Sequence, residues 1–423
     1  MKVSEVNTQK FLSVSLLFFI VFLLMCGNAN ATAQWAKKFS LSCNTCHTVF
    51  PRLNTFGEEF LANGYQLEST YKKNWEDQYS INAGGVFLDD LQNLFGVRIN
   101  LTPFMLETNS FQKDSASEKT SKLTFGNPNW IQFFAAGSIF KDISFFSEME
   151  FTQGAFHFSW FYFNFTNLAD SKLLNFQLGN LSPLQFAAYP NRLRMIAAIR
   201  SEAMRIRTSN GNGEASVDMS GARKGLQYYG RVEWVTIYAG FSPGFNSASV
   251  GQTLGYWGGA TLKLPESVSR DFAGTSFTVH YYGGTDTKGT GSAKQIENKY
   301  TRISPQVAIR YKDIFDIQAA YIIGNEDNWN LVPSPTEDFT FNGIGITGRY
   351  FISSEWSCGL QYDQYASDED ASGTRVLNYN RLTPALTYVI NGNISLTALY
   401  EANLRDPEDE KVNKFYLNMR AMF

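Results

Sequence analysis

From about residue 94 to its last residue the chain alternates apolar and polar side chains in short stretches, and nowhere beyond residue 33 does it hold the roughly 20 consecutive apolar residues that a membrane-spanning helix needs. The final stretch shows the pattern: Phe415, Leu417, Met419, Ala421 and Phe423 fall on one face, Lys414, Tyr416, Asn418 and Arg420 on the other. Residues 393–403 repeat it, with Ile394, Leu396, Ala398 and Tyr400 set against Ser395, Thr397, Glu401 and Asn403, Leu399 being the exception. A period of two belongs to a strand with one apolar and one wet face. The chain carries 36 Phe and 21 Tyr, yet its mean hydropathy is only −0.22, so much of its apolar content must sit in these alternating stretches. A transmembrane β-barrel gives that signature, although alternation alone also fits a soluble sandwich. A net charge of −3 offers no electrostatic case for nucleic acid.

The connections discriminate better. Counting back from Phe423, short links at 390–393, 353–354, 312–314, 229–231 and 141–142 alternate with longer polar ones at 405–411, 367–375, 325–338 and 285–298. Short turns on one side and long loops on the other divide a barrel between periplasm and exterior. The fold predicted is therefore mainly β: an antiparallel transmembrane barrel of about 16 strands, beginning near Phe95, behind a small N-terminal segment. The longest link, 182–221, falls between the fifth and sixth strands and carries Arg192, Arg194, Arg200, Arg205 and Arg207. Such a link is rarely empty coil; it either folds into the lumen, as in trimeric porins, or caps the outer surface. Cys358 alternates with Trp356, Leu360 and Tyr362 on the lipid-facing side, and His280 falls on the lumen side.

The N-terminus reads as a secretory signal peptide over 1–33: Lys2 and Lys10, an apolar run from 11 to 25, then the small residues of Ala29-Asn30-Ala31. Export to a bacterial envelope follows. Residues 34–75 form a small segment, 76–93 a linker or extra strand, and 94–423 the barrel. Within the small segment stands Cys43-Asn44-Thr45-Cys46-His47. That pentapeptide is the attachment site of c-type haem: two thiols add to the vinyl groups and the next residue places an imidazole on the iron. A redox dithiol does not require His47. A zinc site lacks partners, because the other mature cysteine is Cys358 and the other histidines are His157 and His280. One covalent haem c is expected. Its sixth ligand stays open between local groups (Asn54, Asn63, Lys72) and remote ones: Met105, Met149, His157, Met195, Met204, Met219 and His280. The choice matters because Met/His ligation raises the potential.

The run Cys43-x-x-Cys46-His47-x-x-x-Pro51-x-Leu53-Asn54-x-Phe56-Gly57-x-x-Phe60-x-x-x-Gly64-Tyr65, followed by a barrel-like region, resembles the fused monohaem cytochrome-porins of bacterial outer membranes. The iron(II)-oxidising outer-membrane cytochromes are the best-known members of that group. The likeness in specific residues covers about 30 positions and is architectural beyond them. It implies thioether links at Cys43 and Cys46, His47 as proximal ligand, and Pro51, Asn54 and Gly57 as shapers of the haem loop. It also implies an outer-membrane electron conduit between an extracellular donor, Fe(II), and a periplasmic c-type cytochrome. Two other functions stay open, a peroxidase-type haem enzyme and a diffusion porin with an accessory haem. The acidic runs at 368–370 and 408–410 offer hard oxygen ligands for iron or are solvated loops.

Overall fold

A computed structural model describes residues 34–49, 51–67, 81–83, 86–88 and 94–422, apart from 114–115, 141, 153, 207–217, 244, 247–249, 289–295, 313, 330, 332–337, 369–376, 392 and 405–410. The expected leader at 1–33, Lys72, Arg207 and most of both acidic runs lie outside the described residues. The N-terminal segment holds α1 (Gln34–Phe39), α2 (Cys43–Cys46), β1 (His47–Val49), β2 (Arg52–Leu53) and α3 (Thr55–Ala62). Next come β3 (Ile81–Ala83) and β4 (Val86–Leu88), a hairpin that forms a two-stranded sheet of its own.

Sixteen antiparallel strands then close into a barrel. They are β5 (Phe95–Lys113), β6 (Ala116–Phe140), β7 (Ile143–Thr152), β8 (Ala155–Phe165), β9 (Asn175–Leu181), β10 (Arg223–Val232), β11 (Val235–Ser242) with β12 (Phe245–Asn246), β13 (Val250–Lys263), β14 (Ser276–Lys288), β15 (Ile296–Tyr311), β16 (Phe315–Glu326), β17 (Phe339–Phe351), β18 (Trp356–Ser367), β19 (Asn378–Asn391), β20 (Ile394–Asn403) and β21 (Lys411–Met422). β11 and β12 both pair with β13 and make one interrupted strand. The seam joins β21 to β5, with Ala421 opposite Ile99 and Met422 opposite Arg98. Closure leaves no strand edge to template aggregation.

The alternation sorts side chains as the sequence predicts. Along β15, Asn298, Tyr300, Arg302, Ser304, Gln306 and Arg310 are buried inward, while Ile303 and Ile309 are exposed outward. Phe133, Leu178, Ile237, Leu262, Val279, Leu360 and Leu386 extend this exposed apolar surface, and Cys358 shares it. A polar, filled interior inside an apolar exterior is the reverse of a soluble sandwich and suits lipid.

The links that follow Phe140, Tyr311, Phe351 and Asn391 fall where expected, but two links need correction. The sixth and seventh strands turn at Glu233-Trp234, not at 229–231, because Tyr229 and Arg231 are lumen residues committed to the N-terminal segment. β14 and β15 also run on to Lys288 and Ile296, which shortens the 285–298 loop.

The N-terminal segment sits in the lumen at the short-turn end. Asn54 caps α3 by accepting from the Gly57 N–H at 2.9 Å, and the helix buries Phe60, Leu61 and Ala62 on one side. Its other side is held by ions. Glu58 pairs with Lys263 at 2.7 Å and Arg310 at 2.5 Å, Glu59 pairs with Arg231 at 2.7 Å, and Arg52 pairs with Asp316 at 2.9 Å. After the helix, Gly64 and Tyr65 take positive φ and turn the Tyr65 ring onto Trp35, with centroids 4.3 Å apart, and its hydroxyl against that of Tyr162 at 2.6 Å. A side chain at Gly64 would meet Ser144 Oγ at 2.8 Å.

The described part of the 182–222 link folds inward. Ala188 N–H donates to Thr278 Oγ1 and Tyr189 N–H to Gln306 Oε1, each at 2.8 Å, and Gln318 donates to the Ala188 carbonyl at 2.8 Å. Leu184, Tyr189, Met195, Ile196 and Met204 are fully buried.

Candidate functional site

Cys43 and Cys46 stand at the two ends of the single turn of α2, a three-residue spacing that puts both thiols on one side. They and His47 line a cavity between the N-terminal segment and the barrel wall, with about 1370 Å³ of empty space, part of it open to solvent. The turn is braced from behind. Asn54 Nδ2 donates to the carbonyls of Asn44 at 3.1 Å and Thr45 at 3.0 Å, while Gly57 lies so near that a Cβ there would sit 2.1 Å from the Cys46 carbonyl oxygen. These contacts give physical content to the spacing of Asn54 and Gly57 in the motif.

Burial sets the protonation of all three groups. It raises the Cys43 thiol, and raises that of Cys46 to about 11, with Cys43 adding to the effect. A redox-active dithiol needs the opposite shift. Burial lowers the His47 imidazole to about 4 against backbone hydrogen bonding at Arg52 and Pro51, so the ring is neutral at pH 7. A neutral imidazole oriented by backbone is the form that ligates a metal.

The cavity has two kinds of wall. Trp35, Leu53, Phe60, Phe134, Phe146 and Trp160 supply apolar surface, and Arg98, Arg192, Arg194, Arg200 and Arg420 supply cations against two carboxylates, Glu148 and Glu150. Glu148 is shared by Arg98 at 3.3 Å and Arg192 at 3.2 Å. Arg192 also lies over the rings of Phe146 and Trp160, 4.8 and 4.7 Å from their centroids. Apolar faces, a cationic rim, two thiols and a neutral imidazole suit a flat, amphiphilic, anionic cofactor such as haem.

Among the described residues, none of the expected sixth ligands lines this cavity. Asn54 spends its side chain on the cap and loop, and Asn63 Oδ1 accepts from Arg231 at 2.6 Å. His280 is buried in the lumen with Nδ1 at 3.0 Å from the Tyr238 hydroxyl, and His157 lies 3.3 Å from Glu150, half exposed. Met195 and Met204 are packed in the inward link, Met219 is buried, and Met105 and Met149 lie on β5 and β7. Met422 is the one methionine among the described residues lining the cavity. Sequence reasoning passed over it, although it shares the lumen face of Arg420 two residues earlier.

No family model and no curated relative matches the sequence. Solved structures do. OmpF of Salmonella typhi, in complex with daunomycin, matches with a TM-score of 0.53 at 12% identity over 81% of this chain and 99% of its own. The barrel is porin-like. An anion-selective porin from Comamonas acidovorans matches with a TM-score of 0.53 at 9% identity (78% and 99% covered), and the outer membrane channel DcaP of Acinetobacter baumannii with 0.50 at 10% (82% and 100%). The likeness at such identities is one of fold.

Proposed function

We propose that the protein is an outer-membrane electron-transfer protein whose single covalent haem c serves an extracellular donor, Fe(II), and a periplasmic c-type cytochrome. The observation that carries this reading is the placement of Cys43, Cys46 and His47 together on the wall of one amphiphilic cavity inside a porin-like barrel. Bound there, haem would supply a one-electron couple. The chain's own residues do the rest. Cys43 and Cys46 would fix the group covalently, His47 would ligate iron, and Trp35, Phe60, Phe146 and Trp160 would keep water from its faces. The barrel carries the site across the outer membrane, with the short-turn end taken as periplasmic.

The porin-like fold also favours a diffusion channel with an accessory haem. Against that reading, the N-terminal segment and the inward link both occupy the lumen. Mixing the oxidised full-length protein with Fe(II) in a stopped-flow instrument decides between them. Haem reduction within the mixing experiment is expected, and its absence, with covalent haem present, sinks the iron reading. His47→Ala is expected to abolish normal haem ligation, read from the absorption spectrum, while the barrel still inserts into membranes.

A further inference from the structure

A sixth iron ligand must bring a lone pair to the cavity. Guanidiniums and indole N–H groups have none to give. Beyond the Cys43–His47 motif, the lining side chains that could serve are Ser42, Tyr65, Gln132, Glu148, Glu150 and Met422, among the described residues. Five of these are engaged. The hydroxyls of Ser42 and Thr45 lie 3.2 Å apart across the cysteine turn, and that of Tyr65 meets Tyr162 at 2.6 Å. Gln132 donates to Glu148 at 2.5 Å and to Glu150, and accepts from Arg98. Glu148 also holds Arg98 and Arg192. Met422 differs in kind: a neutral thioether, partly buried, packed at the edge of the core cluster that includes Leu53, Phe60 and Phe146.

Two independent contacts tie Met422 to the motif. Its N–H donates to the Asn393 carbonyl at 2.9 Å, while the side-chain oxygen of the same Asn393 accepts from Cys43 Sγ at 3.8 Å. Across the seam Met422 stands opposite Arg98, whose charge acts on the His47 imidazole. A second cavity, with about 1260 Å³ of empty space partly open to solvent, lies between the motif and β17–β21. Among the described residues, Cys43, His47, Arg98, Arg420 and Met422 alone border both cavities, so motif and methionine share one boundary.

We propose that Met422 is the sixth ligand of the haem iron, through its sulfur, with His47 as the fifth. The inference rests on the haem reading above and gives the last strand a part in setting the potential. Pairing of Ala421 with Ile394 and Ile99 fixes the backbone beside it, and the unbranched side chain has the torsional freedom to aim the sulfur. A neutral, soft donor favours the reduced iron and raises the potential.

The test uses the full-length protein in detergent, expressed so that covalent haem is attached, with Met422 changed to Leu and to His. Haem content is read by staining after denaturing electrophoresis, folding by heat-modifiable mobility, and potential by spectroelectrochemical titration. The wild-type ferric protein is expected to show the weak long-wavelength absorption of sulfur bound to ferric iron. Met422→Leu should lose that band, bind carbon monoxide readily when reduced, and shift the reduction equilibrium about a hundredfold toward the oxidised form, about 120 mV for a one-electron couple. Met422→His should restore a six-coordinate spectrum without the sulfur band, at a potential below the wild type. Haem content should match the wild type in both, because the thioethers carry attachment.

A sulfur band missing from the wild type, or kept in either variant, overturns the proposal. Absence of covalent haem in the wild type fails the underlying haem reading, a result the stain separates from a wrong sixth ligand.

Discussion

Asn54 does two jobs with one amide. Its oxygen caps α3 through the Gly57 N–H, and its nitrogen holds the carbonyls of Asn44 and Thr45, so the helix and the cysteine turn cannot move apart independently. Asn54→Ala should cost about 1 kcal/mol from the lost cap alone. Hydrogen exchange of the amides of 43–62 is expected to accelerate about fivefold, the ratio that corresponds to that energy. Gly57→Ala is the harsher change, since its Cβ would fall 2.1 Å from the Cys46 oxygen and force α3 off the turn. Loss of most covalently attached haem is expected, read by the same gel stain. The motif spacing made Asn54 and Gly57 visible in the sequence as shape residues. Which carbonyls they serve was not visible, because those partners are fixed by a backbone turn that side-chain identity does not report. Met422 was missed for a related reason: its lumen direction was legible from the alternation, but its place on the wall of the cavity that His47 also lines depends on barrel closure.

At the level of elements, α3 is clamped to the barrel by Glu58, which is about a quarter exposed and meets Arg52, Lys263 and Arg310. Burial alone would raise its carboxyl, but Arg310, Lys263 and Arg52 outweigh that and bring it to about 2. A carboxylate depressed in this way stabilises docking above its ordinary pKa and loses that contribution as pH falls toward the depressed value. Docking of the segment is therefore expected to hold at pH 5 to 7 and to weaken between about pH 4.5 and 2. Single-channel conductance across that window should rise reversibly, and Glu58→Gln should show raised conductance already at pH 7, consistent with roughly 2 kcal/mol of lost charged hydrogen bonding. The same contacts explain the displaced turn. Read along the sequence, Gly230 and Arg231 break an alternating stretch and look like a link. In the barrel Arg231 instead grips Glu59 and Asn63, and the strand runs on to Val232. A charge inside a strand looks like a turn when its lumen partner lies 172 residues away in sequence.

The whole molecule is a barrel with two occupants, the N-terminal segment at the short-turn end and the inward link further along. Its strand count and two-faced alternation were legible because lipid and lumen impose one repeated constraint on every strand. The fate of the 182–222 link was not, since arginines suit an outer cap as well as a lumen. Removing 34–67 from the mature chain should leave a barrel that still inserts, because no barrel strand is lost. Its conductance in planar bilayers is expected to rise severalfold over the full chain, and an unchanged value would mean that the segment does not obstruct the pore.

The seam carries a further consequence. Arg98 on β5 and Met422 on β21 face each other across the pairing that closes the barrel, Arg420 sits two residues from it, and all three line the cavity. Until the first and last strands meet, that wall has no existence, however well folded the rest of the chain is. The pocket is thus completed last in assembly, and a cofactor seated in it against these residues certifies that the cylinder has been shut.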